Sequence, residues 1–349
     1  MDDTPELTRR RLLRLLLGAA AVGAGACTSR PARRAAPARH SSTTTATAPT
    51  TTTEPPTTTT TLPPTTTTTA PEPTTTTTTA PPEPVPPPEP PPGGAVAGFI
   101  AFGDFGGGSQ QLAVAQAMNR WAAGHRVDAL VTTGDNVYDY GEPRFFVAHL
   151  DEPYRALRAT RPMWATLGNH DVMNGHGDAQ LAHLGLPALP YATILNGMRL
   201  FFLDTSRPDA AQAAWLDEQL ARPGPATSVV VFHAPVFSCG LHGPEASVVA
   251  AWAPVLENRK VTLVLNGHDH LYQRFASGAG VTYVVTGGGG RELYPHTSGC
   301  NPPELRFSAV RHHFTAVELF PDRLVISAVG TDDSVFDRVE LPVPALVGS

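Results

Sequence analysis

Cysteine is scarce in this chain of 349 residues: only Cys27, Cys239 and Cys300 occur, which excludes a small scaffold stapled by several disulfides. Long apolar runs are missing too. The one extended stretch, ending at Ala26, has about fifteen apolar residues, too few to span a bilayer comfortably. Positive charge is thin beyond the N-terminus. Eight arginines precede Ser41 against Asp2, Asp3 and Glu6, and residues 41–92 carry four glutamates and no cation; the remainder holds seventeen Lys and Arg against twenty-four Asp and Glu, net −7 where the whole chain has −6. An acidic domain lacks the basic footprint that a nucleic-acid backbone requires, so no nucleic-acid partner is expected. Any phosphate it handles is expected to be held by metal rather than by a field of arginines. A nucleotide P-loop is also excluded, because Gly287 to Gly290 is followed by no Gly-Lys-Ser/Thr.

What is present divides the chain into three parts, 1–27, 28–94 and 95–349. In the first, Thr8-Arg9-Arg10-Arg11-Leu12-Leu13-Arg14 precedes the apolar run and resembles a twin-arginine export signal, a route that carries folded proteins. Ala24-Gly25-Ala26 before Cys27 offers a small-x-small cleavage site and a mature N-terminus that could be lipidated. Ala24 stands where a lipoprotein box usually has Leu, and an uncleaved anchor is the alternative. Within the second part, residues 41–92 are almost wholly Thr, Pro and Glu and cannot bury a core. This stretch is expected to be extended and to reach at most roughly 160 Å, as a stalk holding the domain off an envelope or as a featureless spacer. The protein is therefore expected to be exported, with membrane association only through its signal or a lipid. In an exported chain Cys239 and Cys300 can be bonded or free.

The third part, about 250 residues, is enough for one sizeable α/β unit. Short apolar runs recur, each ending at a polar cluster: Val96 to Phe102 into Gly103-Asp104, Ala129 to Thr132 into Gly134-Asp135-Asn136, Pro162 to Thr166 into Gly168-Asn169-His170-Asp171, Val229 to Phe232 into His233, and Val261 to Leu265 into Gly267-His268-Asp269-His270. Helices are expected over Gln110 to Ala123, Asp209 to Leu220 and Glu245 to Leu256. Arg199 to Leu203, Val281 to Thr286, Phe314 to Leu319 and Leu324 to Val329 read as antiparallel strands. Two packed sheets flanked by helices follow. In open α/β sheets ligands gather beyond the carboxyl ends of strands, which puts all five clusters on one rim.

Each cluster alone is weak evidence, since Gly-Asp after a strand is usually a turn. Five successive strand ends delivering Asp, Asn, Tyr or His supply the oxygen and imidazole donors that suit Fe, Mn and Zn. Two ions a few ångströms apart need a bridging carboxylate and several ligands each, and that set is available.

In order and approximate spacing the blocks Gly103-Asp104-Phe105-Gly106-Gly107, Gly134-Asp135-Asn136-Val137-Tyr138, Gly168-Asn169-His170-Asp171, His233-Ala234-Pro235 and Gly267-His268-Asp269-His270 resemble the five motif blocks of calcineurin-like metallophosphoesterases. The Asp-x-His that many relatives carry in the first block, with the His as a ligand, is absent, and Tyr138 resembles the tyrosinate of purple acid phosphatases, with Tyr140 as a decoy. The resemblance implies a four-layer αββα sandwich. It also implies one metal held by Asp104, Asp135, Tyr138 and His270 and a second by Asp135, Asn169, His233 and His268, with Asp135 bridging. A phenolate in place of imidazole favours Fe(III), beside a divalent Fe, Zn or Mn. The stretch from His233 to Pro244 resembles the small, mammalian-type enzymes and assigns His242 to the substrate pocket. His170 and His242 are expected to contact phosphate and to protonate the leaving group, unless His170 only orients the site through Asp171. The implied reaction is hydrolysis of a small phosphate monoester; a phosphodiesterase on nucleotides, phospholipids or wall polymers and a non-catalytic stalked adhesin are the competing readings. The stretches 174–190 and 291–305 are candidates for closing the pocket. His125, His149, His176, His183, His296, His312 and His313 are expected to be surface or satisfied core groups.

Overall fold

The computed structural model describes residues 94–107 and 109–344; the expected export signal and all but the last residue of the linker lie outside the described residues. Among those described, no helix is long and apolar enough to cross a membrane.

The first half of the domain runs β1 (Ala97–Phe102), α1 (Ser109–Ala122), β2 (Ala129–Thr132) and β3 (Met163–Ala165), then a single helical turn Asn169–Val172, α2 (Gly177–His183) and the hairpin β4 (Tyr191–Leu195) and β5 (Met198–Phe202). The second half runs α3 (Ala210–Ala221), β6 (Thr227–Val231), α4 (Ala246–Asn258), β7 (Leu263–Asn266), β8 (Tyr272–Ala276), β9 (Thr282–Thr286), β10 (Leu305–Ala309), β11 (His313–Leu319), β12 (Arg323–Gly330) and β13 (Val335–Pro342). One six-stranded sheet has the order β13-β12-β11-β1-β2-β3, and a seven-stranded sheet has the order β10-β8-β9-β7-β6-β5-β4. In the first, β1, β2 and β3 are parallel while β11 to β13 form an antiparallel meander on the other side of β1.

Alternation along buried strands builds the layers. Phe99 and Ala101 of β1 meet Val229, Val231, Leu263 and Leu265 of β6 and β7 in a core between the two sheets. Ile100 and Phe102 point the other way, onto Val114 and Met118 of α1. Val230 and Val264 likewise face Leu216 of α3 and Trp252 and Leu256 of α4. The order is helix, sheet, sheet, helix, as the motifs implied. Side-chain caps start both flanking helices of the second sheet: Asp209 accepts from Gln212 N at 2.9 Å, and Glu245 accepts from Ser247 N at 3.1 Å.

Two strands differ from expectation in direction. β5 runs parallel to β6 and antiparallel only to β4; α3 between β5 and β6 returns the chain to the same end, which is what a parallel pair needs. β9 is antiparallel to β8 but parallel to β7. Consequently β1, β2, β3, β6 and β7 all release their polar clusters at one rim.

Candidate metal centre

At that rim Asp104 and Asp135 are buried, 0% and 2% exposed. Both adopt left-handed backbone, with φ of 58° and 51°, and His268 does so at 72°. Non-glycine residues rarely hold that conformation, and here it turns donors inward directly after strands. Close backbone approach makes room for them. A Cβ on Gly168 would lie 2.1 Å from Asp135 Oδ1, and one on Gly287 would lie 2.2 Å from the Asp269 carbonyl and 2.8 Å from Asp104 Oδ2. The Gly287 to Gly290 run therefore packs the second sheet's loop against the first's.

All seven expected ligands meet here. Two donors each about 2.1 Å from one ion and at right angles to each other are about 3 Å apart, so donor separations test the fit. Around one point, Tyr138 OH lies 2.9 Å from Asp135 Oδ2 and 3.2 Å from His270 Nε2, and His270 Nε2 lies 3.6 Å from Asp104 Oδ1. Around a second, His233 Nε2 lies 3.1 Å from both Asn169 Oδ1 and His268 Nδ1 and 3.4 Å from Asp135 Oδ2. Asp135, His233 and His268 bring their donor atoms within 4.8 Å of one another. One oxygen, Asp135 Oδ2, belongs to both groups. These are edge lengths suited to two coordination shells sharing a carboxylate, so the residues fit a pair of metal ions.

The remaining ring nitrogens fix the tautomers. His233 Nδ1 faces the Thr133 carbonyl at 2.9 Å and His270 Nδ1 faces the Glu292 carbonyl at 2.6 Å, which leaves each Nε2 as a lone-pair donor toward the centre. His268 instead turns Nδ1 inward, and its main-chain N–H donates to Asp104 at 3.0 Å.

Crowding these groups shifts them. Burial pushes the Asp104 carboxyl well up. Burial acts on Asp135 too, but the charge of His233 beside it holds that carboxyl below its ordinary value. His233 is driven up to about 10 by Asp135 against its own burial. Burial, with His233 as the next cause, lowers His268 to about 3; burial lowers His270 to about 4 and raises the Tyr138 phenol, where Asp135 and Asp104 add to it. A cation among them inverts this logic, because it favours carboxylate, phenolate and neutral imidazole together.

Neither expected substrate-facing histidine is buried. The His170 ring lies 4.3 Å from the Tyr138 ring and its Nδ1 contacts the Asp139 carbonyl at 2.7 Å. Asp171 does not serve as its orienting partner. That carboxylate is taken up by N–H groups of Gly168, Asn136 and Val137 and by Gln180 Nε2, all at 2.8–3.1 Å; it knots the second and third blocks together, and burial lifts it to about 6. His242 stacks on His268 with centroids 4.2 Å apart, and its N–H donates to Asp269 at 2.8 Å.

Cys239 and Cys300 form a disulfide, with Cα atoms 5.6 Å apart. Of the two candidate closing stretches, 174–190 is an internal strut: it carries α2, whose Gln180 bonds Asn136 and Asp171. The other lies on the site and contributes residues that the motifs do not mark. Arg291 sits 4.3 Å over the Tyr138 ring and pairs with Asp139 at 3.2 Å, and Tyr294 stacks on His270. Tyr140 is 51% exposed and takes no part. His313 is buried between Thr286 Oγ1 and the Arg311 carbonyl, a satisfied core group.

A family model described as calcineurin-like phosphoesterase matches residues 98–272, and the chain belongs to that family. It is thus a metal-dependent phosphoric ester hydrolase. Among its relatives is purple acid phosphatase 7 of Arabidopsis thaliana, 28% identical over 247 residues that cover 60% of this chain and 74% of the relative. Another is tartrate-resistant acid phosphatase type 5 of Mus musculus, 28% identical over 298 residues, 70% of this chain and 90% of the relative. The purple acid phosphatase PPD1 from yellow lupin seeds shares the fold, with a TM-score of 0.64 at 16% identity over 71% of this chain and 54% of that one. Such homologues imply a dimetal centre.

Proposed function

We propose that this chain is an exported, envelope-tethered phosphatase that hydrolyses small phosphate monoesters, with Fe(III) among Asp104, Asp135, Tyr138 and His270 and a divalent Fe, Zn or Mn among Asp135, Asn169, His233 and His268. The observation that carries the reading is the sharing of Asp135 Oδ2 between two donor groups with coordination-edge spacing. Two such ions, when bound, supply Lewis-acid polarisation of phosphoryl oxygens and a water acidified toward neutrality. The chain's residues do the rest. Asp135 holds the two groups in register. His242, braced by His268 and Asp269, donates to a phosphoryl oxygen, and His170, held through Nδ1 by the Asp139 carbonyl, protonates the leaving alkoxide. Charge on the substrate is met without an arginine cluster. The twin-arginine-like segment and Thr/Pro stalk support export and tethering.

Hydrolysis of p-nitrophenyl phosphate beside bis-p-nitrophenyl phosphate tests the chemistry, with Asn169→Ala as control. Monoester preference that depends on metal is expected; diester preference would make the chain a phosphodiesterase, and turnover of neither would overturn the small-monoester reading and leave a narrow-substrate enzyme or the adhesin. Replacing Arg9 and Arg10 with Lys should retain the protein in the cytoplasm on cell fractionation, and unchanged export would remove the twin-arginine assignment.

A further inference from the structure

The segment after Gly290 crosses from one donor group toward the other and carries an aromatic ring that neither group uses. The Glu292 carbonyl contacts His270 Nδ1 at 2.6 Å, and Tyr294 N donates to the His270 carbonyl at 3.0 Å. The Tyr294 ring then lies parallel on the His270 imidazole, centroids 4.0 Å apart and planes 11° apart. It also meets His242 at 5.5 Å and 68°, and His242 is in turn stacked on His268. One phenol ring thus spans the gap between the imidazole whose Nε2 faces Tyr138 and the imidazole proposed to contact phosphate.

The placement is held from both sides. Beyond Tyr294, Thr297 N donates to the Cys239 carbonyl at 2.8 Å, Thr297 Oγ1 donates to the Gly240 carbonyl at 2.6 Å, and Cys300 closes the segment through its bond to Cys239. The ring is half-buried, yet among the described residues its hydroxyl has no hydrogen-bond partner. A phenol that gives up part of its hydration normally finds an acceptor. The hydroxyl is thus open to water in the free site and free to donate to an incoming acceptor-only anion, and a hydrogen bond to a charged oxygen is among the stronger ones.

We infer that Tyr294 is a substrate-contact residue whose hydroxyl donates to a non-bridging oxygen of the phosphate monoester, between His270 and His242. This rests on the dimetal phosphatase reading above. The same contact would be made to inorganic phosphate, the reaction product, and inorganic phosphate is therefore the probe.

Tyr294→Phe removes one oxygen and keeps the stack; Tyr294→Ala removes both. For the full-length, metal-loaded chain, calorimetric titration with inorganic phosphate, elemental analysis of bound metal and steady-state kinetics on p-nitrophenyl phosphate separate the outcomes. The Phe variant is expected to keep the wild-type metal content and kcat while the phosphate Kd and the KM each rise about tenfold, as for loss of one hydrogen bond made equally in ground and transition states. The Ala variant is expected to lose metal or kcat in addition, because His270 is left without its stacking partner. An unchanged phosphate Kd in the Phe variant overturns the contact, as does metal loss in that variant, which would mean that the hydroxyl serves assembly of the centre. A wild-type chain that binds no metal, or binds phosphate equally without it, overturns the underlying reading first, and the wild-type titration alone reveals that.

Discussion

The Tyr138 hydroxyl donates to Asp135 Oδ2 at 2.9 Å, so the oxygen shared by both donor groups is also the one that orients the phenol. If Tyr138 is the phenolate on Fe(III), Tyr138→Phe should abolish the visible charge-transfer absorption of the iron-loaded protein while its circular dichroism stays unchanged. A variant that keeps its colour would assign the band to another ligand.

Asn169 and His233 meet at 3.1 Å in the second group. Alanine at either position should lower metal-dependent turnover by about a hundredfold or more, since even outer-shell partners of metal ligands cost 10- to 100-fold, with little change in thermal unfolding of the metal-free chain. Full activity in both variants sinks the dimetal assignment.

Asp171 accepts from Gly168, Asn136, Val137 and Gln180 while fully buried. Asp171→Ala strands several buried donors together, and each orphan costs about 1–3 kcal/mol. A loss of about 3 kcal/mol or more in urea unfolding is expected; a loss below 1 kcal/mol would mean that water replaces the carboxylate freely.

His313 lies far from the ligands in sequence, and its burial depresses its pKa from 6.5 to about 4. A folded pKa below the unfolded one makes the unfolded state bind the proton first, so stability is complete above the ordinary value and is lost as pH falls from 6.5 toward 4. The single-site effect is about 3 kcal/mol. Urea midpoints measured across that window should fall more steeply for the wild type than for His313→Gln; parallel slopes would refute the assignment.

Much of the centre is legible in the sequence, and for a physical reason. Asp104, Asp135, Asn169, His233 and His268 each follow a short run of buried β-branched and aromatic residues, and period and polarity mark such a strand end locally. Tyr294 and Arg291 carry no local mark. Their place depends on the Cys239–Cys300 bond and on stacking against His270 and Tyr138, contacts between residues far apart in the chain. Strand direction was hidden for the same reason in β5, whose pattern is identical whether its neighbour runs up or down. β13 carries no strand signal because Val335 to Pro342 is an edge strand with exposed charge at Arg338 and Glu340, which resembles a polar tail.

The division of donors between the sheets has a mechanical consequence. Asp104, Asp135, Tyr138 and Asn169 hang from the six-stranded sheet, while His233, His268 and His270 hang from the seven-stranded one, and each donor group draws on both. Neither half of the chain can therefore assemble either shell by itself. Bound ions would rivet one sheet to the other at the rim, and the capacity to hold them would report that both halves have docked.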